Sequence, residues 1–182
     1  MPGNLFIRFE VEKDSKYAPG ESQQVGHMGT EGWIEISEWS WDVEAESSHL
    51  KGTGASVGKP TPGVLSFSHY YDKSSPLLMQ YIVKGTHFAV ARIHMLKQTG
   101  GDQPELYFEL AAKDVFITKV SSKGAEDGTV NQDVEFVFKQ IAVGYKQQGN
   151  DGKFVNGGYR EFFWNVATAQ NKLDGFALKI SK

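Results

Sequence analysis

Residues 52–59, Gly-Thr-Gly-Ala-Ser-Val-Gly-Lys, have the composition of a phosphate-binding loop but not its spacing. Counted back from Gly58–Lys59, the first required glycine falls on Thr53, and the hydroxyl residue that should hold magnesium is Pro60. No helix pattern follows to offer its N-terminus to a phosphate. The five histidines, His27, His49, His69, His87 and His94, lack the i,i+4 or His-x-His spacing of a local metal site, so any metal would need ligands from separate strands. Glu35 with Glu38, and Asp42 with Glu44, are the carboxylate pairs nearest to acid–base geometry. On a strand, Asp42 and Glu44 share a face with Glu38 and Glu46, which reads as a solvated row of like charge. There is no Gly-x-Ser-x-Gly nucleophile elbow. Trp33, Trp39, Trp41, Tyr70, Tyr71, Phe162, Phe163 and Trp164 have the chemistry of a ligand cleft, but their alternation with polar residues reads as core. The residues therefore predict no catalytic group, no metal site and no cofactor.

The elements that carry these residues read as strands. From Glu38 to Glu46, Trp39, Trp41, Val43 and Ala45 alternate with Glu38, Ser40, Asp42, Glu44 and Glu46. A period of two predicts one dry face and one wet face. Upstream, Ile34 and Ile36 lie on the opposite parity, so residues 33–46 form a long strand with a bulge or bend near Ser37–Glu38. A second slip near Lys139–Gln140 separates Phe136 and Phe138 from Ile141, Val143 and Tyr145, which predicts another bent strand over 131–146. Further strands are expected over 4–11, 63–72, 87–97, 105–112, 114–120 and from Phe162, with a short tail strand over 176–180. Residues 47–62 read as a long connecting loop of the kind that forms interfaces. One helix follows Tyr71–Asp72. Ser74 or Ser75 caps it, Pro76 suits its first turn and Gly85 its end. Its narrow polar stripe predicts burial on most sides. The sum is a mainly β chain: about nine antiparallel strands in a barrel or coiled sandwich, flanked by one α-helix.

Composition bounds the rest. The 182 residues fit a single domain over 1–182, with 40% hydrophobic and 13% aromatic content for its core. A net charge of −3 without a basic stripe argues against nucleic acid. No apolar run approaches the roughly 18 residues of a membrane span. The N-terminus shows no Sec-type signal, so no membrane anchoring is expected. Cysteine is absent, which removes disulfides and thiol chemistry.

The motif order resembles one family. Gly-Trp-Ile-Glu-Ile-x-x-Trp-Ser-Trp over 32–41 comes first, then Gly-Thr-Gly with a downstream Gly-Lys over 52–59, then Tyr-Asp-Lys-Ser-Ser-Pro-Leu-Leu over 71–78. Residues 100–110 and 134–145 continue the likeness, which covers nearly the whole chain. This is similar to the haemolysin-coregulated protein family, the tail-tube protein of the bacterial type VI secretion system. Trp33, Ile34, Trp39, Trp41, Pro76 and Leu77 carry the family-marker core. Residues 159–182 and 14–28 depart most from the family pattern.

The resemblance implies a non-enzymatic β-barrel like phage tail-tube proteins. It implies homohexameric rings stacked into a tube within a contractile sheath, tipped by a trimeric spike, with effector proteins in the lumen. Assembly in the bacterial cytoplasm and delivery out of the cell follow from it. The extended loop reaching the adjacent ring would include Ser48, His49, Lys51, Thr53, Ser56 and Lys59. The alternative reading is a monomeric β-barrel that binds a carbohydrate or another small ligand.

Overall fold

A computed structural model describes residues 4–48 and 56–180. In chain order the elements are β1 (Leu5–Glu12), β2 (Lys16–Tyr17), β3 (Gln23–Gln24), β4 (His27–Met28), a 3-10 turn (Gly29–Glu31), β5 (Trp33–Glu35), β6 (Glu38–Ser40), β7 (Val43–Ser48), β8 (Ser56–Pro62), β9 (Leu65–Tyr70), α1 (Ser75–Lys84), β10 (Phe88–Lys97), β11 (Glu105–Gly124), β12 (Val130–Val137), β13 (Gln140–Gln148) and β14 (Phe154–Asn165). Among the described residues this makes fourteen strands rather than about nine. The excess comes from short pairs such as β2, β3 and β4, which sequence periodicity cannot register over two residues.

Ten of the strands join one antiparallel sheet along the path β2-β1-β10-β11-β12-β9-β6, with β5 on β1, and β13 and β14 branching from β11. The predicted slip near Ser37 is the point of closure. Ile36 N donates to Leu5 O at 3.1 Å, and Ser37 N donates to Ser68 O at 2.9 Å. Two successive residues thus bond to opposite ends of the sheet path, and the sheet closes on itself through one bent segment. Covering both edges in this way removes two open ladders from solvent.

The second bend is built differently from its expectation. Strand β11 is a single strand of twenty residues, not two. Its first half pairs with β10 and β13, and its second half pairs with β12. Asp114 sits at the turning point with φ 54°. A left-handed aspartate kinks the strand without ending it, because its short side chain tolerates that region. On the partner strand, the break between β12 and β13 falls opposite, where Lys139 N donates to Lys113 O at 3.0 Å. β9 then extends the sheet from β12, and β14 extends it from β13.

Inside the closed sheet, Phe9, Phe67, Phe88 and Phe136 form an aromatic cluster with ring centroids 4.8 to 6.3 Å apart. Ile34, Leu65, Ile93, Leu110 and Ile141 complete it, all essentially inaccessible. α1 packs Leu78 into this core and stacks Tyr81 on Phe88. Only one face of α1 is covered: Val83 is 86% exposed, contrary to the narrow polar stripe. The cap also differs. The Asp72 carboxylate accepts from the Ser74 backbone at 2.8 Å and from the Ser74 hydroxyl, while Ser75 Oγ accepts from Asp72 N at 3.0 Å. The C-terminal stop is Gly85, as expected, at φ 66°.

Residues 173–180 do not form the expected tail strand. They cross the outer face of the sheet, with Phe176 and Ile180 buried. Phe176, Leu173 and Leu178 pack on Val90, Ala111 and Ala142. Small side chains on that face leave room for the tail backbone, so side-chain bonds hold it where a ladder would hold a strand.

Candidate assembly surfaces

The outer face beneath the tail carries a buried ionic network that spacing in the sequence did not reveal. Arg8 from β1 and Arg92 from β10 both donate to Glu10 Oε1, at 2.8 and 3.0 Å. Arg92 Nη1 also donates to Ala177 O at 2.9 Å and lies 3.7 Å from the Glu109 carboxylate. Glu109, fully buried on β11, accepts from the backbone of Lys179 and Ile180 and from His94. Burial alone would raise the Glu109 carboxyl, but the His94 bond and the Arg92 charge lower it on balance. Outside the network, Lys179 Nζ pairs with Asp14 at 2.6 Å. These charges are matched and hydrogen-bonded, as buried charges must be. They clamp the tail and the 13–32 segment onto the sheet.

The histidines separate into structural roles. His69 is buried and bonds Gln132 Oε1 through Nε2 at 2.6 Å, and Gln132 in turn donates to Ser75 O at 3.3 Å, which ties β9 and β12 to the start of α1. His87 is exposed beside Phe116. His27 and His94, 67 positions apart, meet at 2.9 Å. His49 lies outside the described residues. Among the described residues no group of three or more His, Cys, Asp or Glu could hold a metal. The carboxylates read similarly. Glu38 Oε1 accepts from Ser68 Oγ, and Asp114 makes the strand bend.

The eight aromatics do not converge. Trp33 is buried on the outer face under the 13–32 segment, stacked among Arg8, His27 and His94. Trp39 stacks on Phe108, and Trp41 packs between Phe138 and Phe162. Tyr70 and Tyr71 line a separate open cavity of about 340 Å³ with Glu21, Glu35, Ile36, Ser37 and Asp72. Of the family-marker residues, Ile34 is fully buried, Leu77 packs against the core, and Pro76 is exposed on the first turn of α1.

The described ends of the loop expected over 47–62 are strands. β7 and β8 pair into a two-stranded ribbon set apart from the main sheet, with Ser48 opposite Ser56. His49, Lys51 and Thr53 lie outside the described residues, and Lys59 is exposed. The alternation expected through Glu46 stops at Asp42. Val43, Glu44 and Ala45 are all exposed, because the ribbon leaves the barrel there and both of its faces meet solvent. Its base is anchored: Trp41 Nε1 donates to Gly63 O at 3.2 Å and Gly63 N donates to Asp42 O at 2.8 Å. A Cβ at position 63 would displace the exposed Asp42 carboxylate and lie 3.1 Å from Asp42 O, so the close approach of the two chains favours glycine.

A second exposed feature flanks this base. Phe162 and Tyr145 are 42% and 41% exposed on β14 and β13, and Phe162 lies 6.3 Å from Trp41. Among the described residues β14 pairs with β13, and its other edge, bridged to Gln170 at Asn165, takes no further strand.

Comparison with known proteins agrees along the chain. The sequence model of the family described as "Type VI secretion system effector, Hcp" matches residues 7–145. The Pseudomonas aeruginosa protein named "Protein hcp1" is 34% identical over 168 residues, covering 91% of this chain and 96% of that protein. A solved structure described as a type six secretion system protein superposes with a TM-score of 0.78 at 23% identity, covering 92% of this chain and 99% of the other. Hcp1 from Salmonella typhimurium gives 0.69 at 25% identity, covering 93% and 99%.

Proposed function

Because the chain belongs to the Hcp family of type VI secretion proteins, we propose that it works in the tube as hexameric rings that stack head to tail and carry effector proteins in their lumen. The family is a structural, effector-carrying and secreted one, and not an enzyme family. The observation that carries the finer reading is the β7–β8 ribbon. A two-stranded ribbon exposed on both faces is marginal by itself in water. It gains stability by docking on a neighbour, and a ribbon on one end of a subunit docking on the other end of the next is a heterologous contact that propagates into a filament. In this reading Ser48, His49, Lys51, Thr53, Ser56 and Lys59 belong to the contact between rings.

Within a ring, the open edge of β14 and the Tyr145–Phe162 strip meet the adjacent subunit. Pairing an open edge in a closed ring covers it in every copy. The chain 1–182 acts as one domain, the spike caps the end of the tube, and the sheath surrounds it. Assembly takes place in the bacterial cytoplasm before delivery. Among the described residues no helix is long and apolar enough to cross a membrane.

Light scattering of the purified protein tests the ring: the expected mass is about six times the 20.2 kDa chain. A mass of one chain across protein concentrations would overturn the proposal. Six-fold rings in negative-stain images are the matching expectation.

A further inference from the structure

The ribbon and the open edge leave one arrangement unused: the direct contact between His27 and His94. His27 lies on β4, in the small β3–β4 hairpin. It stacks on Phe6 at 5.1 Å and sits 4.5 Å from the Trp33 ring. His94 lies beneath it on β10. The charged groups facing the pair come from every element packed there. They are Arg8 and Glu10 on β1, Arg92 on β10, Glu109 on β11, Lys179 on the tail, and Asp14 and Glu31 in the overlying segment.

Proton placement follows from these partners. An ionised carboxylate only accepts, so Glu109 assigns a proton to His94 Nε2. Neutral His94 then presents a bare Nδ1, which accepts from His27 Nε2–H at 2.9 Å. One added proton is tolerated, because it can sit on His27 Nδ1, away from the contact. A second proton, on His94 Nδ1, sets one N–H against another and the contact cannot persist.

We propose that His27 and His94 form an acid-released latch, which holds the β3–β4 hairpin and its flanking residues 22–32 against the sheet and lets them go when both imidazoles are protonated. Release uncovers Phe6 and Trp33, which His27 now covers, and opens a surface next to the tail. The tail itself stays, since the Lys179 and Ile180 amides and Arg92 hold it independently of His27. Burial, the His94 charge and Arg8 push His27 down to about 4, and burial also lowers His94. Both directions place the release on the acid side of the ordinary histidine range.

Hydrogen exchange of the full chain, corrected for intrinsic rates, tests the latch. Amides in 22–32 of the wild type should exchange at least about tenfold faster at about pH 4.5 than at about pH 7, while β9 and β12 hold their protection. In His27→Phe, whose ring keeps the stack on Phe6 and which leaves only His94 to protonate, the acid acceleration in 22–32 should be clearly smaller than in the wild type. No acceleration in the wild type, or equal acceleration in both proteins, overturns the proposal. Should His27→Phe fail to fold, an NMR titration of the wild-type imidazoles decides. Two coupled steps below the ordinary value support the latch, and independent titration of each ring near about 6.5 overturns it. Neither readout depends on ring formation.

Discussion

Glu109 holds several groups at once. It is fully buried and accepts from two tail amides and one imidazole, with Arg92 alongside. Replacing it by Gln removes the charge that balances Arg92 and offers a donor where only acceptors fit. Breaking one side of a buried charge network typically costs about 3–5 kcal/mol. Glu109→Gln is therefore expected to lower the urea midpoint by that order and to raise hydrogen exchange in 173–180 first. An unchanged midpoint would show that Phe176 and Ile180 packing and the bond from Arg92 to Ala177 hold the tail without Glu109. None of this was visible in spacing. Arg8, Glu10, Arg92, His94 and Glu109 lie on three strands, and only the register of β1, β10 and β11 puts them side by side.

At the scale of elements, bends do the work that loops were expected to do. Asp114 holds β11 at a positive φ, where a β-branched residue is strained. Asp114→Gly should leave stability within about 0.5 kcal/mol, while Asp114→Val should lose about 1–3 kcal/mol, both read from thermal or urea unfolding. Equal effects of the two would remove the backbone explanation. The ribbon makes the opposite case. Among the described residues it is anchored at its base, by Trp41, Asp42 and Gly63, so shortening its tip should not reach the core. Deleting part of 53–58 is expected to leave the melting temperature and ring mass unchanged and to weaken stacking, seen as fewer and shorter tubes in electron micrographs. Loss of the monomer fold would refute the assignment of this segment to assembly.

For the molecule as a whole, closure of the sheet gives a core reached from all sides, and the outer face gives a second, ionic layer. That layer sets the acid side of stability. The folded His27 sits at about 4 against an ordinary 6.5, so the unfolded chain takes up this proton first. Stability from this group is complete above about pH 6.5 and falls as pH drops toward 4. The lowered Glu109 and Asp14 carboxyls add stability that is lost on further acidification through their folded values. Urea midpoints should therefore be flat above about pH 7 and decline steadily below about pH 6, and a midpoint that rises on acidification would contradict the network.

The sequence by itself determined the mainly β class, the places of the two parity slips, the helix with its glycine stop and the family, while the strands expected to run through the slips, 33–46 and 131–146, are broken into separate strands. Those features rest on local chemistry: alternation read two residues at a time, a parity slip, and motifs contiguous in the chain. The dry row from Trp39 failed beyond Trp41, where Val43 and Ala45 are exposed, and the tail strand over 176–180 failed outright. In both cases the deciding factor was what lay across from the segment, not its own residues. Only the tertiary structure could decide that Ile36 and Ser37 close the sheet, that Val43–Ser48 and Ser56–Pro62 pair into a ribbon, and that His27 meets His94 across 67 positions. Contacts of that range depend on strand register, and register is set by the packing of the entire core rather than by any segment's own pattern.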